Sequence, residues 1–200
     1  MDNKPRKERE RQAKKQDILK AAREVFAQKG LHAATLDEIA EKAEFAKGTL
    51  YGYFQSKDDL FASMLEEELV KFEQCIIQVL NLPLAPAAKV EKLVKTMLLV
   101  FEQNEDFLRL LSKERPGMSN IQVGEKMMDH FKTLTRLVSG MVKDGIKEGV
   151  FAAKDPVRTS VALFNLVHGS AMSSLLNHKK INDPEEAKFL TGLFLNGIKA

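Results

Sequence analysis

Cysteine is nearly absent: Cys75 stands alone among 200 residues. One thiol excludes an internal disulfide framework and a cysteine-rich zinc module, and it fits a reducing cytoplasm. Glycine and proline are scarce too, at 11 and 6 residues. That is below their usual share of about 12%, so turns are few and long elements are expected. Collagen-like, mucin-like and wholly disordered chains are excluded with them. No alternating run of strand length and no internal repeat survives a pass along the chain. Met1 to Asp17 holds no apolar stretch, so no secretory signal is expected there. Catalytic constellations are missing as well. His32, His130, His168 and His178 show no metal-ligand spacing, and there is neither a phosphate-cradling glycine loop nor a nucleophile motif. No enzymatic activity, cofactor or metal is therefore expected.

What is present is a soluble globular composition, 44% hydrophobic and 30% charged. Against a typical domain of about 150 residues, the length gives one large domain or two small ones. The net charge of +3 says little about partners. Its distribution says more. Lys4, Arg6, Lys7, Arg9, Arg11, Lys14 and Lys15 crowd the first fifteen residues against Asp2, Glu8 and Glu10. Residues 1–15 read as a basic, largely disordered arm. It either reaches a minor groove or tracks phosphates, or it is a solvated tail. Thr159 to His178 lacks Asp, Glu, Lys and Arg over a membrane-span length. Its serines, asparagines and histidines predict a helix buried in protein instead.

From Asp17 a helical period begins. Ile18, Leu19, Ala22, Val25 and Phe26 share a face, and Gly30 is a stop signal. Thr35 with Glu38 forms a capping-box pattern before a second helix, and Ala46 to Phe54 reads as a third. Ser56 opens a long fourth helix, from Lys57 to about Leu80, with Asp58 and Asp59 in its first turn. Further helices are expected at 87–103, 105–113, 120–148, 156–177 and 184–199, punctuated by Asn104, Pro116-Gly117, Gly149 and Asn182-Asp183. The fold is expected to be all-α. A three-helix unit at 16–60 is joined by the long helix to a larger bundle at 61–200.

The two helices between Thr35 and Phe54, linked around Glu44 and Phe45, have helix-turn-helix spacing. In that geometry the second helix enters a major groove about 12 Å wide with its N-terminal side chains at base edges. Lys47 and Thr49 lie on its outward face, Tyr51 follows, and Gly48 lets backbone approach DNA closely.

Residues 17–61, DILKAAREVFAQKGLHAATLDEIAEKAEFAKGTLYGYFQSKDDLF, resemble the DNA-binding domain of the tetracycline-repressor (TetR) family. The most diagnostic piece is KGTLYGYFQSKDDL, Lys47 to Leu60. The resemblance implies an all-α homodimer on a palindromic operator, with a ligand pocket in the C-terminal bundle and loss of DNA binding when it fills. It implies that Thr35 caps the second helix and touches phosphate. Lys47, Gly48, Thr49 and Tyr51 then belong to the reading helix, and Tyr53 and Lys57 hold phosphate. Three positions depart from the family pattern. Glu44 stands where glycine is usual, and a left-handed non-glycine residue costs about 1–2 kcal/mol. Ala46 replaces a Ser or Thr cap worth roughly 1 kcal/mol. Gly52 replaces a larger residue, at about 1 kcal/mol in helix propensity.

The bundle is rich in Phe and Met. Phe72, Phe101, Phe107, Met127, Phe131 and Phe164 are candidates for an adaptable apolar pocket, or for ordinary core. His130 is a candidate to face the pocket. Asn165 and His168 either orient a ligand or sit at a subunit interface, and Cys75 reads as an inert thiol or a redox sensor. Gly169, Ala171, Met172 and Leu175, with Phe189, Leu190, Leu193, Phe194 and Ile198 of the last helix, are expected to form a two-fold, four-helix interface. Two readings stay open. One is a one-component transcriptional repressor released from its operator by a small, largely apolar ligand. The other is a helical module that acts through a protein partner or carries a ligand.

Overall fold

A computed structural model describes residues 5–113 and 121–199. The helices among them are α1 (Arg6–Ala33), α2 (Leu36–Lys42), α3 (Lys47–Tyr51), α4 (Lys57–Leu80), α5 (Pro86–Gln103), α6 (Glu105–Lys113), α7 (Ile121–Lys147), α8 (Pro156–Leu176) and α9 (Pro184–Ile198). No strand forms among the described residues; Phe151 and Lys199 make an isolated antiparallel bridge. The fold is all-α, as expected. The Pro116-Gly117 break lies outside the described residues.

The chain divides into two units. One holds the chain up to Glu68 together with Asp106–Lys126, and the other holds Leu69–Glu105 and Met127 onward. The division therefore falls within α4.

In the first unit, Ile18, Ala22, Phe26, Ile39, Leu50 and Leu60 are completely buried. Burying each large aliphatic or aromatic one contributes about 1.5–3 kcal/mol. Phe26 meets Phe61 edge-on at 5.9 Å. Arg23 pairs with Glu68 and Gln16 donates to Glu67, tying α1 to α4. Gly30 takes φ 76°, where a Cβ is disfavoured, and breaks α1 before its last three residues.

The N-terminal arm corrects the sequence reading: Arg6–Lys15 are not disordered but are the first turns of α1. Arg, Lys, Glu, Gln and Ala are good helix formers, and elongating an existing helix avoids the cost of nucleation. Arg6 and Glu10 add an i,i+4 pair at 2.7 Å.

In the second unit, α5 packs against α8 and α9. Val90, Leu93, Val94, Met97 and Leu98 of α5 and Leu163, Val167, Ala171, Leu175, Leu190 and Phe194 of α8 and α9 are buried in its core. Pro86, Pro156 and Pro184 open their helices, where a missing N–H is harmless. Asp155 and Asp183 accept backbone N–H bonds at the starts of α8 and α9. Cys75 is a free, half-buried thiol. Among the described residues no helix is long and apolar enough to cross a membrane, the 159–178 segment included.

Candidate functional site

The reading motif is built from α2, a tight link and α3. Thr35 caps α2 as expected: its Oγ1 accepts from the Glu38 N–H at 3.2 Å, and its own N–H donates to Glu38 Oε2 at 3.1 Å. Lys29 holds Glu38 from the other side at 2.7 Å. The Lys29 ammonium, with the Thr35 N–H, draws the Glu38 carboxyl below the usual carboxylate range. Glu44 turns the link with φ 57°. Ala46 opens α3 with no side-chain cap. The link and α3 thus carry the strain and the missing cap that the sequence foretells. Gly52 stays in right-handed helical geometry, and a Cβ there would meet the Thr49 carbonyl oxygen at 3.2 Å.

Buried Leu50 anchors α3 to the core. Lys47, Gly48 and Tyr51 are exposed around it, Tyr51 at 54%, while Thr49 is half-buried. A five-residue helix thus shows solvent an ammonium, bare backbone and an aromatic ring. Lys47 also meets Asp37 on α2, and this hydrogen bond raises its affinity for a proton. Tyr53 and Lys57 are half-buried. The Lys57 ammonium donates to the carbonyls of His32 and Ala34, both at 2.9 Å. It closes the turn between α1 and α2, a role that sequence spacing did not reveal. Asp37 was missed for a similar reason, since ten residues separate it from Lys47.

Six of the eight candidate pocket residues make local contacts in the second unit. Phe72 stacks on Phe101 at 5.5 Å, and Phe101 meets His168 edge-on at 6.0 Å. Phe131 and Phe164 form a second pair at 5.9 Å. His130 Nδ1 donates to Glu73 Oε1 at 2.7 Å, with both side chains 17% exposed. Glu73 is thus a partner that the sequence reading missed. Burial lowers the His168 pKa and favours the neutral ring. Met127 is exposed. Phe107 is buried and belongs with the first unit.

The residues expected at the interface divide into buried and exposed ones. Ala171, Leu175, Leu190 and Phe194 are buried within the single chain, where α5 packs against α8 and α9. A residue already covered offers a partner nothing. Met172 is half-buried and Gly169 exposed. The large apolar side chains that α8 and α9 leave exposed are Leu176, Phe189, Leu193 and Val157, at 69%, 61%, 53% and 49%. Phe189 and Leu193 line an open groove of about 470 Å³ with Gly192 and Asn196.

Comparison with known proteins agrees with this architecture. Residues 18–64 match the model of bacterial regulatory proteins of the tetR family, and residues 83–172 match that of the tetracyclin repressor-like C-terminal domain. A fatty acid metabolism regulator protein of Bacillus subtilis is 24% identical over 95% of this chain and 98% of its own. The HTH-type transcriptional regulator UidR of Escherichia coli is 28% identical over 76% of each chain. The crystal structure of the B. subtilis transcriptional regulator FadR, solved with stearoyl-CoA, has a TM-score of 0.79. It is 20% identical over 92% of this chain and 98% of that one. The two family models together cover more than half of the chain, on the helix-turn-helix and on the bundle, so this chain belongs to the TetR family of transcriptional regulators.

Proposed function

We propose that the protein is a homodimeric repressor that reads a palindromic operator through α3 and leaves it when a long-chain acyl compound, such as an acyl-CoA, enters the second unit. The observation that carries the DNA reading is α3 itself. Buried Leu50 fixes the helix, while Lys47, Gly48 and Tyr51 stand clear of the protein. A dimer is needed to place two such helices about 34 Å apart, one DNA turn. The outward ridge of Phe189 and Leu193 on α9, with Leu176 on α8, supplies an apolar face for it.

The acyl reading rests on two supports. Relatives are named for fatty acid metabolism, and the FadR structure holds stearoyl-CoA. The second unit offers half-buried Phe72, Phe101 and Phe131, which touch other aromatic rings rather than sitting in the sealed core. Separating such rings opens room for a methylene chain, and each buried CH₂ contributes about 0.8 kcal/mol. A ligand that prefers the non-binding state by about 1–3 kcal/mol weakens operator affinity 5- to 150-fold.

The test begins with protein stripped of ligand by denaturation and refolding. Fragments bound from random or genomic DNA are selected, and the winning duplex is titrated with stearoyl-CoA or with coenzyme A alone. The expected result is a palindrome, released by the acyl thioester and not by coenzyme A, with operator weakening stearoyl-CoA binding by the same factor. Folded, dimeric protein that enriches no sequence refutes the repressor reading and favours a module acting through a protein partner. Enrichment without release refutes only the acyl ligand.

A further inference from the structure

One face of α1 changes character along its length. Ile18, Ala22 and Phe26 lie on it at helical spacing and are completely buried. Continued toward the N-terminus, the same stripe carries Lys15, Arg11 and Lys7. Lys15 is half-buried, and Arg11 and Lys7 are exposed. The stripe thus turns from apolar to basic where α1 leaves the core. Two of these cations rest on rings that follow the reading helix. The Arg11 guanidinium lies 5.8 Å from the centre of the Tyr53 ring, and the Lys15 ammonium 5.7 Å from that of Phe54. Glu8, Arg11, Gln12, Lys15 and Tyr53 line a cleft of about 280 Å³ beside them.

From these contacts we infer that the first three turns of α1 are a rigid phosphate clamp, which binds the DNA backbone flanking the bases read by α3. The inference rests on the DNA-binding reading above. It extends that reading to residues outside the family match, which begins at residue 18. The ring contacts hold the cations in place. A guanidinium lying on a ring keeps its N–H edges directed outward, the geometry that suits a phosphate. Lys7 to Lys15 spans about 12 Å at 1.5 Å per residue. Backbone phosphates recur every 3.4 Å of axis on each strand. The stripe is therefore long enough for one phosphate per cation. Glu8 places a carboxylate in the cleft and moderates its charge. Insertion into the minor groove, one option for a disordered arm, does not suit a helix. With side chains a helix is about 10–12 Å wide, and the minor groove is about 6 Å wide.

The test uses the full-length protein and a 40-base-pair duplex carrying its selected palindrome. Affinity is measured across a series of potassium chloride concentrations. Each phosphate contact contributes about 0.9 to the log–log slope. The Lys7→Gln/Arg11→Gln/Lys15→Gln variant should flatten the slope by about five per dimer. Lys7→Gln alone, which leaves both ring contacts intact, should flatten it by about two. Arg11→Lys/Lys15→Arg should keep the wild-type slope. Should the triple variant melt early, Lys7→Gln decides alone. Exchanging A·T for G·C pairs in the flanks should change nothing, and a loss of affinity there would overturn the clamp in favour of groove reading. Specific binding with an unchanged slope overturns the clamp and leaves the repressor reading standing. A wild-type chain that binds no duplex overturns both.

Discussion

Lys47, the first residue of the reading helix, holds its ammonium 2.5 Å from the carboxylate of Asp37 on α2. Both side chains are more than half exposed, so on the proposed DNA-binding reading Asp37 would compete with a DNA phosphate for the same cation. Asp37→Asn removes the competitor. The variant should associate faster with the selected operator, and its salt dependence should steepen by about one for each half-site. Stopped-flow association across a salt series checks this. Unchanged rate and slope would show that Lys47 does not reach DNA.

Strain and a missing cap sit two residues apart, at Glu44 and Ala46. Glu44 takes φ 57° and Ala46 leaves the first N–H groups of α3 without a side-chain acceptor. Glu44→Gly and Ala46→Ser should each stabilise the first unit by about 1 kcal/mol. Thermal denaturation should register each as a rise of roughly 2–4 °C. An unchanged or lower midpoint for Ala46→Ser would mean that the α3 amides already have partners.

Two hydroxyls in the second unit, Thr135 Oγ1 and Thr191 Oγ1, are buried without a hydrogen-bond partner. A buried group left unpaired costs about 1–3 kcal/mol. Thr135→Val and Thr191→Val replace each hydroxyl with a methyl of similar size. Each should raise stability by about 1 kcal/mol in urea denaturation, with the m-value unchanged. A loss of stability would place a hidden acceptor beside the hydroxyl.

His168 meets Phe101 edge-on, and burial lowers its pKa below the ordinary value of 6.5. As pH falls through 6.5 the unfolded chain takes up a proton before the folded one does. Acid therefore favours unfolding until the pH passes the depressed folded value. His168→Gln removes this contribution. Between about pH 7.5 and pH 5.5 the wild type should lose more melting temperature than the variant. Equal losses would show that His168 titrates alike in both states.

Much of this was legible in local chemistry. Pro86, Pro156 and Pro184 mark helix starts, the Thr35–Glu38 pair signals its own capping box, and the left-handed turn falls on Glu44, where the motif expects glycine. What escaped depends on partners distant in sequence. Arg6–Lys15 lack an apolar period and so read as disordered, yet Arg11 and Lys15 find their counterparts at Tyr53 and Phe54. Lys57 reads as a phosphate ligand because nothing local shows that the carbonyls of His32 and Ala34 lie within its reach. On α8 and α9 both faces carry apolar residues. Periodicity alone cannot say that Ala171 and Phe194 are buried within the chain while Phe189 and Leu193 stand exposed.

The double bond from Lys57 has a mechanical meaning. One ammonium at the first residue of α4 grips two carbonyls of the segment that leads into α2. Hydrogen bonds weaken steeply once stretched or bent, so a slip of about 1 Å between these parts would break both at once. Below that threshold the start of α4 and the entry to the reading motif move as a single stiff body. A turn of the first residues of α4 would then carry the segment that leads into α2 with it, much as a bolted bracket turns with the shaft that carries it.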